Sequence, residues 1–265
     1  MWSLKRPGGA VGALRAAGRE QVVLATAAML PRLLRHPVWR GGRSRQGAGR
    51  GVLLVPGFGF GDRSLMVAHR WLRSRGYRPE GARIGLNIGC TTTLLERVER
   101  RLEDHAEATG GRVVVLGQSR GGWLGRLVAV RRPDLVRGLV MLASPVLDPL
   151  GAHPGTVRIA RALTRLSAVG VPGLLDDDCF TGTCYRDNVR RLAAPLPADV
   201  PAVAVYSRND AVVPWRLCRD PDAECVEVRS CHTAMGLDPD VYAALEPRLA
   251  DWARPDGESP EESSG

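Results

Sequence analysis

A serine framed by glycines, Gly117-Gln118-Ser119-Arg120-Gly121, stands directly after the apolar, β-branched run Val113-Val114-Val115-Leu116. A strand that runs into G-x-S-x-G and then into a helix is the pattern of a nucleophile elbow, a sharp turn that lifts the serine hydroxyl above a sheet. The glycines have a mechanical reason to be there: with no Cβ at either position, strand and helix can approach each other around a strained serine. In a chain with 31 glycines among 265 residues the five letters also occur as a plain loop, so the neighbouring chemistry decides. A nucleophilic serine needs a base to take its proton and a carboxylate to orient that base. On an elbow of this kind they follow in chain order serine, acid, histidine. Val203-Ala204-Val205-Tyr206 reads as a buried strand with Ser207-Arg208-Asn209-Asp210 at its carboxyl end. After one more strand, Cys225-Val226-Glu227-Val228, His232 stands in a polar loop.

From about residue 50 to 253 the chain resembles the α/β-hydrolase superfamily, in particular its small esterase and lipase-like members. The resemblance rests on Val52-Leu53-Leu54-Val55-Pro56-Gly57-Phe58-Gly59, on the elbow, on Tyr206-Ser207-Arg208-Asn209-Asp210 with Val212-Val213-Pro214-Trp215, and on Cys231-His232-Thr233-Ala234-Met235. It implies Ser119 as nucleophile, His232 as base and Asp210 as orienting acid. It also implies an oxyanion hole from the backbone N–H groups of Phe58 and Arg120. Two departures stand out. Many relatives carry His-Gly where this chain has Pro56-Gly57, and proline shapes the loop without offering an N–H. Cys231 immediately precedes His232 and reads as a small packing thiol.

The elements that must position these residues follow an α/β rhythm. Strands are expected at 51–56, 82–87, 112–118, 137–143, 202–206 and 225–229, with helices at 63–75, 92–109, 120–131 and 239–253. The alternation calls for a mostly parallel, roughly six-stranded sheet with helices on both faces. Ligands then gather at the strands' carboxyl ends, where Ser119, Asp210 and the Phe58 loop all fall. At 44% apolar content the chain is long enough for one sizeable core.

Residues 1–49 read as a basic helical extension and linker, with helix from about 10 to 35 and a flexible connector at 40–50. The apolar stretch Val22 to Leu30 is short for a spanning helix or a signal core, which leaves peripheral contact with an anionic membrane surface as the alternative to packing on the domain. No cleavable signal is evident, and the chain reads as cytoplasmic. Residues 254–265 form an acidic tail expected to be disordered. The formal charge of +9 does not point to nucleic acid. Lys5 is the only lysine, arginines are spread through every helix, and aromatic residues are 5% of the chain.

Between the strand ending near Ala143 and that starting near Ala202 lies a segment that breaks the alternation, read as a helical cap over residues 146–198. Its apolar stripe Val157, Ala160, Leu163 and Leu166 offers Leu163 and Leu166 as candidate pocket residues for an aliphatic group. Cys179 with Cys184 and Cys218 with Cys225 are close enough in sequence for short disulfide loops, while Cys90 reads as a lone core or loop thiol. Neither pair has C-x-x-C spacing and the histidines lie elsewhere, so the spacing gives no metal site, and no cofactor is expected. Asp176-Asp177-Asp178 lacks alternating calcium-ligand spacing and reads as solvated. Asp148 is the rival acid. His36, His69, His105 and His153 fall in helical, cap or N-terminal stretches.

The expected chemistry is cleavage of a carboxylic ester or thioester through an acyl-serine, with a small-molecule acyl substrate as partner. The same constellation also serves an acyltransferase or cyclase if a closed cap excludes water, or remains as a non-catalytic ligand-binding member. The Arg120 side chain is a candidate for holding an anionic substrate group if it faces the pocket.

Overall fold

The structure is a computed structural model that describes residues 29–41 and 45–254. Six strands, β1 (Gly51–Val55), β2 (Arg78–Gly81), β3 (Val113–Gln118), β4 (Val136–Leu142), β5 (Ala202–Tyr206) and β6 (Glu224–Glu227), form one sheet in the order β2-β1-β3-β4-β5-β6. Every pairing is parallel. Buried on both faces, the central strands split their side chains by period two. Leu53, Val55, Val113, Val115, Leu139, Met141 and Ala204 meet one helical layer. Val52, Leu54, Val114, Leu116, Val140, Leu142, Val203 and Val205 meet the other.

The first layer is built by α2 (Thr91–Thr109) and α3 (Arg120–Arg131), the second by α1 (Met66–Ser74) and α7 (Pro239–Trp252). Helix α2 carries its buried residues Leu94, Leu95, Val98, Leu102, His105 and Ala106 on one stripe and ends at Gly110 in the left-handed conformation, a common helix stop. Helix α3 is buried along nearly its whole length because it lies between the sheet and the cap.

One expected strand is misplaced. The stretch 82–87 is not β2; that strand ends at Gly81, and Arg83 and Gly85 sit at φ 53° and 70°, a left-handed conformation that no strand tolerates. The apolar alternation of Ala82, Ile84 and Leu86 imitates a strand. The real one contains Pro79, which is accepted because β2 is an edge strand paired only with β1.

Part of the expected N-terminal extension packs on the domain. Residues 29–35 are helical and are followed by the short helix Pro37–Arg40. Leu33 is fully buried, Val38 joins the second core layer, and the Trp71 indole donates to Val38 O at 3.0 Å. The earlier part of the expected helix and the acidic tail lie outside the described residues. Among the described residues no helix is long and apolar enough to cross a membrane.

The segment between β4 and β5 folds as three helices, α4 (Pro154–Ala168), α5 (Asp178–Thr181) and α6 (Thr183–Leu192). It lies over the carboxyl ends of the strands, against Trp123 of α3 and the loop that leads into α2.

Candidate active site

Ser119 occupies the turn between β3 and α3 at φ 53°, ψ −122°, a strained conformation for a residue with a Cβ. Its amide donates to Leu142 O at 2.7 Å, and its carbonyl accepts from Gly122 N at 3.0 Å, so the backbone is held on both sides. The flanking glycines are required by space. A Cβ on Gly117 would stand 2.3 Å from the Gly121 backbone, and one on Gly121 would stand 2.1 Å from Val55 O. The sequence reading of these two positions as a close crossing of strand and helix agrees with those distances.

Asp210 follows β5 and His232 follows β6. The Asp210 Oδ1 accepts the amides of Val212 and Val213 at 2.8 Å each, leaving Oδ2 aimed at His232 Nδ1 at 2.7 Å. The Asp210 side chain is 1% exposed and that of His232 12%, so this contact is shielded from water while the far edge of the ring reaches the surface. Gln118 Nε2 donates to His232 O at 3.1 Å and ties the histidine loop to the elbow. Ser119 and His232 line one cleft, together with Gly57, Phe58, Gln118, Thr233 and Leu237. No hydrogen bond joins the Ser119 hydroxyl to the His232 ring among the described residues. Such contacts commonly tighten only when substrate is bound. Asp148 is not beside His232; its Oδ1 accepts Leu150 N at 3.0 Å at the entry to the cap. His153 caps α4 by accepting Gly155 N.

The Phe58 and Arg120 amides flank the elbow, and neither has an acceptor among the described hydrogen bonds. The first belongs to the loop after β1, which bridges to Asn87. Asn87, fully buried, donates to Pro56 O at 2.7 Å and receives Gly59 N at 3.3 Å, so it shapes this loop from below. The Arg120 side chain is also buried, but its donors are already engaged: Asn87 O at 3.1 Å, Gly89 O at 2.8 Å and Thr91 Oγ1 at 3.1 Å. Burial pulls its pKa down to about 10, which leaves it cationic at neutral pH. It clamps the loop before α2, with its guanidinium within 6 Å of the Phe58 and Trp123 rings.

Two recesses meet at Ser119 and Phe58. One is the cleft with His232. The other runs under the cap. Its wall is mainly apolar, with Trp123, Pro149, Val157, Ala160, Leu175 and Val213 prominent. Leu163 and Leu166 do not line it. Leu163 packs against Leu175 and Cys179, and Leu166 is 48% exposed. Nine residues separate Val157 from Leu166, about two and a half helical turns, which puts them on opposite faces of α4. Thr164, at two full turns from Val157, is the buried one.

Reading the sequence also missed Asn188, which lines the recess at 3% exposure, donates to Cys184 O at 2.8 Å, and leaves its Oδ1 without a partner. Gln118 was within the elbow motif and could have been found there. All six cysteines are free thiols. Cys179 and Cys184 do approach, to 3.8 Å between sulfurs, but Cys90 stands with them, 3.9 Å from Cys184. The acidic run is structural rather than merely solvated. Asp176 Oδ1 accepts Cys179 N at 3.1 Å, and Asp178 accepts Thr183 N at 2.6 Å and Cys184 N at 3.1 Å.

No family model matches the sequence, and no curated protein matches it. Among solved structures it is similar to the mature form of a lipase from Bacillus licheniformis, with 13% identity and a TM-score of 0.59 over 76% of this chain and 92% of that one. It is also similar to a monoglyceride lipase from Saccharomyces cerevisiae, at 15% identity and a TM-score of 0.53 over 77% and 86%. A monoacylglycerol lipase from Paleococcus ferrophilus gives 17% identity and a TM-score of 0.52 over 77% and 95%. The fold is that of the α/β-hydrolases, an open sheet of parallel strands with its loops gathered over the elbow.

Proposed function

We propose that the protein is a serine hydrolase that cleaves a carboxylic ester or thioester through an acyl-serine intermediate. The observation that carries this reading is the 2.7 Å contact from Asp210 to His232 Nδ1, with the ring facing the cleft that holds Ser119 at its strained turn. With Nδ1–H donating to the buried carboxylate, Nε2 is the free base. It takes the proton of Ser119 as Oγ attacks the carbonyl, and the oxyanion lies on the Phe58 and Arg120 amides. His232 then protonates the leaving alcohol or thiol, and water repeats the attack on the acyl-serine with the same histidine as base.

The two recesses give the substrate a direction. The apolar recess under the cap accepts the acyl chain, and the cleft beside His232 lets the leaving group depart and water arrive. Ester hydrolysis by the named structural neighbours is consistent with this reading. The test is intact-mass analysis after treatment with a fluorophosphonate, which phosphonylates an activated serine. Wild type gains one adduct, whereas Ser119→Ala and His232→Ala gain none. A wild type that stays unlabelled, or an adduct that survives Ser119→Ala, would remove the proposal.

A further inference from the structure

Cys90 is far in sequence from Cys179 and Cys184, yet the three bring their sulfurs within 4.8 Å of one another. Cys90 caps the start of α2, while Cys179 and Cys184 belong to α5 and α6 of the cap. Two of the separations are 3.8 and 3.9 Å. Three thiolates at about 2.3 Å from a tetrahedral ion stand about 3.8 Å apart, so two sides of the triangle already have the dimensions of one face of a thiolate coordination shell and the third lies within 4.8 Å. We propose that Cys90, Cys179 and Cys184 form a site for a thiophilic cation of the zinc type, which ties the cap to the core beside the acyl recess.

The surroundings suit such a charge. A divalent ion with three thiolates carries a net negative charge, which must be offset if buried. Arg120 is a buried cation whose three side-chain acceptors are two carbonyls and a hydroxyl, all neutral. It grips Gly89 and Thr91, the two neighbours of Cys90. Cys90 also stands at the N-terminus of a 19-residue helix, where a thiolate is favoured. On the cap side the carboxylates of Asp176 and Asp178 fix the amides of Cys179 and Cys184, so the turn that presents both sulfurs is built before any ion arrives. Cys179 lines the recess, so an ion here would hold part of the wall in place.

The experiment uses the full chain, reduced and metal-free, titrated with cobalt(II) and then zinc(II). One equivalent of cobalt should give sulfur-to-metal charge-transfer absorption and the visible bands of tetrahedral coordination, both removed by one equivalent of zinc. Cys90→Ala, which changes a half-buried residue, should weaken zinc binding by more than about 100-fold, because loss of even an outer-shell partner costs 10–100-fold. Cys218→Ala and Cys231→Ala should leave it unchanged, and so should Ser119→Ala, which keeps this test separate from that of hydrolysis. Bound zinc should protect three thiols from alkylation in the wild type, and binding should weaken as pH falls because the thiols must lose their protons. Circular dichroism confirms that each variant is folded. Absence of the charge-transfer band, or a band that survives Cys90→Ala, would overturn the proposal. So would a reduced protein that binds no zinc but loses 2 Da in air as two of these cysteines form a disulfide.

Discussion

At Asp210 a single carboxylate does two jobs with its two oxygens. Oδ1 is fixed by two backbone amides, which leaves Oδ2 no freedom except toward His232. Asp210→Asn should keep the loop, since an amide oxygen still accepts from Val212 and Val213. Its NH2 would instead donate to Nδ1 and force the proton onto Nε2, where the ring can no longer take the serine proton. The expected loss is about 10³–10⁴-fold in kcat with KM little changed, measured on a short p-nitrophenyl ester with the thermal midpoint as a control for folding. A loss of less than tenfold would show that Asp210 is not the orienting acid. Ser119, Asp210 and His232 were legible in the sequence as the candidate triad because each sits in a short motif at a strand end, where local pattern and chemistry coincide. The Arg120 side chain was read as a candidate for holding an anionic substrate group and not as a clamp, because its partners Asn87, Gly89 and Thr91 come from a different loop.

Among the elements, α3 both presents Ser119 and reaches the loop that leads into β6. There Arg126 binds Asp220 through two nitrogens, reaches Asp222 at 3.0 Å, and donates to Ala194 O at 3.0 Å. Side-chain exposure is 3% for Arg126 and zero for Asp220, so removing the arginine strands a charge in the interior. Arg126→Met should cost about 3–5 kcal/mol of stability in urea denaturation, whereas adding Asp220→Leu to it should return most of that. If the single and double variants are equally unstable, the loss comes from packing rather than from the orphaned carboxylate. The elements also show where sequence patterns fail. Strand β2 was hidden because Pro79 gives a poor strand signal, while the neighbouring Ala82, Ile84 and Leu86 alternate convincingly in a loop. The cap was legible as a helical insertion, but not the face of α4 that meets the recess, because a stripe of apolar residues spaced by three drifts around the helix. The thiol triangle was beyond any spacing rule, since 94 residues separate Cys90 from Cys184.

For the whole molecule, the two helical layers and the docked segment around Leu33 and Val38 bury a large core, and a few titratable groups are enclosed with it. His105 of α2 is 4% exposed and lies 2.8 Å from Arg78 O, the carbonyl of the first residue of β2, to which its neutral ring donates through Nε2. Burial holds its pKa below the ordinary value of 6.5. The unfolded chain therefore binds a proton that the folded one refuses in the window below pH 6.5, and the histidine's contribution to stability is lost as pH falls through it. Asp62, Glu99 and Asp238 are raised by burial, so they act in the opposite sense, over the window between the ordinary carboxylate range and their folded values. Stability should accordingly decline from pH 7 toward 5 with a slope of at most one proton from this site. His105→Gln keeps a donor toward Arg78 O and removes the titration, so it should flatten that decline at some cost in packing. Urea denaturation of both proteins at half-unit pH steps measures the two slopes. If they are identical, His105 carries its proton in the folded state, and the acid sensitivity of the fold has to come from another group.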